Sequence, residues 1–345
     1  MNSFKVSYVT TLPKEGNAPR VTIKGNEDKE YTVAFIDTQT QHLISSGTCR
    51  NNQVIMANAN QWYTSWGVFI FDENGSLVFK DLFSLKGKNV FIKMDAYALG
   101  DNIAWIPYVQ AFKDKHECNV ICSTFFNDLF VENYPDIMFV KPNTIIENIY
   151  AQYYIGASND ENPHYSPVKS NETALQHVAS SILGLEHTEI RPDLTKMFPE
   201  DVRVDKKYVT IAEFGSANTK EWKCIDGWKK VVDFIKSKGY EVIVISKEPT
   251  NLTDVIDHTG NIPLTNRAFE IMNAKMHLGV SSGLSWLAWA VGTPVVMISD
   301  VTPTWHEFHT NITRFCANKL NGVDYEAVEV TDVETVLKKL GELLV

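Results

Sequence analysis

The residues best suited to chemistry stand at four places where a short apolar run gives way to small and polar residues. In the first, NVFIKM leads into DAYALGDNIAW, where Gly100 permits a close backbone approach and Asp101 sits at or near the start of a helix. An aspartate there either caps the helix or turns a carboxylate into a cleft as a general base. In the second, VTIAEF leads into GSANTKEW, whose Ser216 and Thr219 hydroxyls, amide groups and Lys220 ammonium suit a diphosphate. In the third, YEVIVIS ends in SKEPT, and Glu248 there is either a surface glutamate or a holder of ribose hydroxyls. In the fourth, VSSGLSWLAWAVGTPVV places Ser281, Ser282 and Gly283 at the opening of a helix just after a strand. Free N–H groups and the positive end of the helix dipole make phosphate the natural guest. Trp286 is a candidate both for that site and for the core, whereas Trp289 reads as core.

Missing motifs narrow the chemistry further. The chain contains no D-x-D and no His/Asp/Glu cluster at metal-ligand spacing. No metal and no cofactor is therefore expected, and charge neutralisation of a diphosphate falls to Lys220 and the helix dipole. A G-x-G-x-x-G after a strand is also lacking, which argues against a nicotinamide enzyme, and so is a G-x-S-x-G elbow.

Three textures supply the elements that must position these residues. From residue 1 to 88, VTIKG, YTVAFID, QHLISSG, WGVFIFD and SLVFKD are β-branched and aromatic runs separated by turns such as Asp72-Glu73-Asn74-Gly75. They predict a small all-β domain, a sandwich or barrel. Residues 89–205 alternate strand and helix: NVFIKM, a helix over Asp101–His116 despite Pro107, CNVICST, a helical FNDLFVENY and IMFVKP. The stretch from Asn143 to Ser170 reads as loop, Glu172–Leu183 as helix, and LEHTEIRPDL through Asp205 as a linker. Residues 206–345 repeat the pattern, with helices over Cys224–Lys238, Phe269–Ala274 and Thr331–Leu344 and strands at VTIAEF, YEVIVIS, MHLGV and PVVMIS. Strand–helix alternation predicts α/β lobes with parallel sheets, and ligands of such lobes bind beyond the carboxyl ends of the strands.

Composition fits this reading. The 345 residues are 44% hydrophobic and 21% charged, which excludes a disordered or fibrous chain. Lys and Arg number 32 against 42 Asp and Glu, a net charge of −10 that repels nucleic acid at long range. The apolar run Leu284–Ile298 is broken by Gly292 and Pro294, and the N-terminus has no apolar signal region, so a cytosolic protein is expected. Cys49, Cys118, Cys122, Cys224 and Cys316 read as free thiols.

LGDNIAW, GSANTKEW, the strand end at Glu248 and SSGLSWLAWAVGTPVV together resemble glycosyltransferase family 9, the heptosyltransferases. The chain is more similar to the autotransporter O-heptosyltransferases, which it resembles over roughly residues 30–315, including YTVAFID, Asn51-Asn52, WGVFIF, AQYYIG and PTWHEFHTNITRF. The resemblance implies a GT-B fold of two Rossmann-like lobes, with Asp101 as catalytic base and Lys220 on the phosphates. It further implies Glu248 on the donor nucleoside and the Ser282-Gly283-Leu284 turn on the diphosphate. The implied activity is metal-independent inverting transfer of a sugar from a nucleotide diphosphate, heptose from ADP-heptose, to a protein Ser or Thr hydroxyl. A UDP-pentose or UDP-hexose transferred to hydroxylated bases of viral DNA or to a surface glycan is the alternative, and an inactive sugar-binding protein a further one. The autotransporter enzymes continue into a cysteine-rich iron-binding finger, whereas only Cys316 follows that point here. The resemblance therefore carries no iron site onto this chain.

Overall fold

The computed structural model describes residues 2–8, 18–57, 63–156, 166–199, 207–315 and 330–344. Cys316 and parts of the expected loop and linker lie outside them. The first strands are β1 (Ser3–Ser7), β2 (Arg20–Lys24), β3 (Glu30–Asp37), β4 (His42–Arg50), β5 (Val54–Met56), β6 (Trp66–Phe71) and β7 (Leu77–Leu82). They form two antiparallel sheets, ordered β1-β2-β5 and β4-β3-β6-β7. Along β3, Tyr31, Val33 and Phe35 are buried while Thr32 between them is exposed, the alternation of a sheet with one covered face. The Asp72–Gly75 turn closes β6 onto β7, with Gly75 at φ +77° and the Asp72 carboxylate accepting from the Asn74 and Ser76 N–H groups.

Hydrogen bonds and a shared core tie this module to the neighbouring sheet. The Tyr8 N–H donates to the Tyr150 carbonyl, and the Tyr8 and Tyr150 hydroxyls both donate to Asp81 Oδ2, at 3.0 and 3.1 Å. The module's buried Val21, Ile23, Phe35 and Ile70 belong to the same apolar core as Val90 and Ile92 of that sheet.

The neighbouring sheet holds β8 (Asn89–Met94), β9 (Asn119–Thr124), β10 (Met138–Val140) and β11 (Ala151–Tyr154), all parallel in the order β10-β9-β8-β11. Helix α1 (Leu99–His116) joins β8 to β9, and α2 (Asn127–Phe130) and α3 (Leu175–Ile182) come later in the lobe. The strand β11 corrects the reading of 143–170 as loop throughout. It is a short edge strand with Ala151 buried and Tyr154 exposed, so pairing with β8 rather than local pattern makes it a strand. Every residue of α1 from Asn102 to Val109 is buried, because α3 and a helix of the second lobe both pack on it.

The second lobe comprises β12 (Tyr208–Ala212), a 3-10 turn (Asn218–Lys220), α4 (Gly227–Ser237), β13 (Glu241–Val244) and β14 (Ile256–Asp257). After them come α5 (Leu264–Met272), β15 (His277–Val280), α6 (Gly283–Ala290), β16 (Val295–Ile298), β17 (Ile312–Phe315) and α7 (Val333–Leu343). The sheet is parallel throughout, in the order β14-β13-β12-β15-β16-β17. Its two edge strands have no counterpart in the sequence reading, since β14 is two exposed residues and β17 is only half buried. Helix α5 starts five residues earlier than the Phe269 expected, because the polar Thr265, Asn266 and Arg267 hide its period. Arg267 is nonetheless buried, held by Glu270 at 2.8 Å.

The linker has no helix or strand over its described residues, yet it is strapped to the second lobe. Glu189 accepts from the His309 N–H at 2.6 Å and the Thr310 hydroxyl at 2.8 Å, and the Leu194 N–H donates to the Ala290 carbonyl. The two lobes meet where α1 lies against α6. A Cβ on Gly283 would stand 2.7 Å from that of Leu99, and one on Gly100 would stand 2.9 Å from Trp286 Cδ1. Helix propensity alone would favour Gly283→Ala by up to about 1 kcal/mol, but overpacking of this kind costs about 1–3 kcal/mol. Gly283→Ala is therefore expected to lower the melting temperature; a rise would mean that α1 and α6 do not sit this closely.

Candidate active site

Two helix starts converge at the lobe junction. Asp95 follows the end of strand β8, and the loop to α1 is pinned by buried Asn102, whose side-chain amide donates to the Ala96 and Ala98 carbonyls at 2.8 and 2.9 Å. Asn102 Oδ1 in turn accepts from the Thr124 hydroxyl at the end of β9, at 2.7 Å. Ala98 is the N-cap residue, so Asp101 lies in the first turn of α1, where the sequence reading puts it. Burial pushes its carboxyl pKa up to about 6, while the Lys220 ammonium and its own backbone N–H pull it back. Asp101 and Lys220, 119 positions apart in sequence and on different lobes, therefore share one electrostatic environment.

Lys220 ends the 3-10 turn after β12. Because β12 and β15 are hydrogen-bonded neighbours, the loops at their carboxyl ends lie side by side. A Cβ on Gly215 would be 3.5 Å from both Lys220 Cβ and the Ser281 carbonyl oxygen. Ser216 and Thr219 are exposed on the same loop. A cavity of about 280 Å³ opens beside it, lined by Asn218, Thr219, Glu221, Lys223, Asp300 and Val301.

Ser282 is the N-cap of α6, and the first N–H groups of a helix, here those of Gly283 and Leu284, have no intrahelical acceptor. The buried Ser282 hydroxyl has no hydrogen-bond partner. Ser281 is turned inward and donates to the buried Glu307 carboxylate. Trp286 is only 3% exposed, edge-on to Trp289 and Phe308 and against Gly100, so the structure places it in the lobe interface. Trp289 is fully buried and stacks on Phe308 at 4.6 Å. Glu248 stands exposed beyond β13, on the same sheet edge but on the far side of β12 from β15.

Three further residues shape this region. His306 lies beside Lys220; burial and then that ammonium push its imidazole pKa down, so at neutral pH the positive charge there stays on Lys220. Glu307 is held by Arg314 at 3.2 Å, and Arg314 also donates to the Thr304 and Phe308 carbonyls, which fixes the loop carrying His306. Glu213, at the carboxyl end of β12, is buried with its pKa raised by desolvation, and accepts from the Thr250 hydroxyl. The HEFH run within PTWHEFHTNITRF is a visible signal for the first two; Glu213 has none beyond its place at a strand end.

Among the described residues, no group of three or more His, Cys, Asp or Glu could hold a metal ion, and none of their helices is long and apolar enough to cross a membrane. Cys49, Cys118 and Cys122 are buried, and burial pushes all three thiol pKa values up.

Residues 154–308 match the model of glycosyltransferase family 9 (heptosyltransferase). The autotransporter heptosyltransferase Aah of Escherichia coli is 31% identical over 306 residues, 85% of this chain and 77% of Aah. The inactive autotransporter heptosyltransferase BimC of Burkholderia thailandensis is 32% identical over 69% of this chain and 59% of its own length. The crystal structure of TibC, an iron-containing dodecameric glycosyltransferase of enterotoxigenic E. coli H10407, superposes with a TM-score of 0.78 at 23% identity, covering 99% of this chain and 97% of TibC. TibC has also been crystallised with ADP-D-β-D-heptose. The likeness to TibC establishes the GT-B arrangement of two Rossmann-like lobes behind a β module, and the identity with Aah over most of both chains establishes kinship. The chain belongs to glycosyltransferase family 9, among the autotransporter heptosyltransferases, and is a nucleotide-sugar-dependent glycosyltransferase.

Proposed function

We propose that this protein transfers heptose from ADP-heptose to a Ser or Thr hydroxyl of a protein, without a metal and with inversion at the anomeric carbon. The observation that carries the reading is the meeting of the Asp101 carboxylate, the Lys220 ammonium and the start of α6 at one lobe junction. An Asp101 oxygen takes the proton of the acceptor hydroxyl as that oxygen attacks the anomeric carbon. The bond from that carbon to the diphosphate breaks, and its electron pair stays on the departing phosphate oxygen. Lys220 and the N–H groups of Gly283 and Leu284 lie where they can meet the negative charge that develops, each such donor being worth roughly 10²–10³ in rate. A base matched to its working pH adds roughly 10²–10⁴, and a pKa of about 6 leaves Asp101 mostly ionised at neutrality. Ser216, Thr219 and Glu248 complete the donor side in this reading, and the binding of ADP-D-β-D-heptose by TibC supports the choice of donor.

BimC is an inactive relative; the Asp101 carboxylate, buried within reach of the Lys220 charge at the lobe junction, favours an active enzyme over a binding-only protein. The donor is tested by thermal shift with ADP-heptose and ADP-, UDP-, GDP- and CDP-hexoses, since a ligand of the folded state raises the melting temperature. ADP-heptose is expected to give the largest rise; a larger rise with a UDP-sugar would overturn the donor assignment.

A further inference from the structure

Three neighbouring strands of the first lobe, in the order β9-β8-β11, end in or are followed within three residues by partly or largely exposed aromatic residues: Phe125, Tyr97 and Tyr154. Tyr97 is 81% exposed although it is a large ring, Phe125 41% and Tyr154 38%. Tyr97 and Phe125 stack on each other with centroids 4.2 Å apart and planes 20° from parallel. Each ring thus covers one face of its neighbour and leaves area open to solvent. The Asp95 carboxylate lies among them, accepting from the Ser123 hydroxyl at 2.6 Å and, after desolvation, helping to raise the Tyr154 phenol pKa. The row lies close to Asp101: Tyr97 is four positions before it in the chain, a reach of at most about 14 Å.

We propose that Tyr97 and Phe125, flanked by Tyr154 and Asp95, form the platform that binds the polypeptide around the acceptor hydroxyl and so determine acceptor specificity. The inference rests on the reading of a protein hydroxyl as acceptor. The candidate donor groups all belong to the second lobe, so the alcohol reaches Asp101 from the first lobe's side of the gap, where this row stands. Rings offer an extended chain apolar area at little entropic cost, and a carboxylate between them can accept from its N–H groups. Two strand spacings of about 4.8 Å each match roughly three extended residues at about 3.3 Å apiece, so the platform reads the immediate neighbours of the modified residue.

The test compares two acceptors in the presence of ADP-heptose: an autotransporter passenger fragment, and N-acetylserinamide, which carries the hydroxyl without flanking chain. In the double variant Tyr97→Ala/Phe125→Ala, kcat/KM for the fragment is expected to fall at least tenfold. The value for N-acetylserinamide and the Kd for ADP-heptose are expected to stay unchanged, and Tyr97→Phe to retain activity on the fragment. An unchanged fragment value, or an equal loss on both acceptors, overturns the platform while leaving the protein-acceptor reading in place. A parent enzyme that binds ADP-heptose yet modifies no passenger fragment overturns that reading and the platform with it.

Discussion

Asp101→Asn is expected to slow sugar transfer at least about a thousandfold while ADP-heptose binds within a few-fold of the parent affinity. The amide keeps the shape of the side chain and its place in the first turn of α1, but cannot take the acceptor proton, and general bases of this kind contribute roughly 10²–10⁴. Single-turnover transfer measured beside calorimetric donor binding separates the two effects. A Kd that rises in step with the loss of rate would reduce Asp101 to a positioning group. The same substitution has a stability signature of known sign. The folded pKa of about 6 lies above the ordinary 3.8, so the folded state holds more protons than the unfolded chain between those values. Stability is then lost as pH rises through that window, by a few kcal/mol at most. Asp101→Asn removes this cost, so its melting temperature at pH 7 is expected to equal or exceed that of the parent. A variant that is dead but not destabilised marks a group kept for chemistry.

The second large effect belongs to Lys220→Ala. Loss of the ammonium is expected to weaken ADP-heptose binding by about ten- to a hundredfold, the range of roughly 1.5–3 kcal/mol for a hydrogen bond to a charged group. An unchanged dissociation constant would remove Lys220 from the donor site. The pH profile carries an independent reading. Because Asp101 must be ionised to accept a proton, kcat/KM of the parent is expected to fall as pH drops through about 6. The Lys220 ammonium holds that pKa down against burial, so in Lys220→Ala the acid limb moves to higher pH. A limb that stays in place, or moves to lower pH, would mean that the two side chains do not act on each other.

Much of the candidate site is legible in the order of amino acids alone. Asp101, Lys220 and the Ser282-Gly283 helix start each come after a short apolar run, and strand-to-helix junctions place such residues at one edge of a parallel sheet. Glu213, His306 and the Glu307–Arg314 pair are less legible, because their roles come from burial and from neighbours distant in sequence. Ser281 shows the opposite case: its hydroxyl looks available in the sequence, yet it is committed to Glu307. Trp286 could have been a wall of the donor site or a piece of the core, and only the approach of Gly100 makes it lobe packing.

The sequence by itself determined the succession of β module and two α/β lobes, the central strands and long helices, and the membership of a sugar-transferase family. These rest on local periodicity and on short motifs, which a chain carries wherever it folds. Tertiary structure alone decided that α1 and α6 abut through Leu99, Gly100, Gly283 and Trp286, and that the edge strands β11, β14 and β17 exist. It also decided that Asp101 lies near enough to Lys220 for one charge to tune the other. Pairing of a sheet edge, contact between helices and desolvation of a carboxylate depend on atoms brought together from distant parts of the chain, and no local window of sequence contains them.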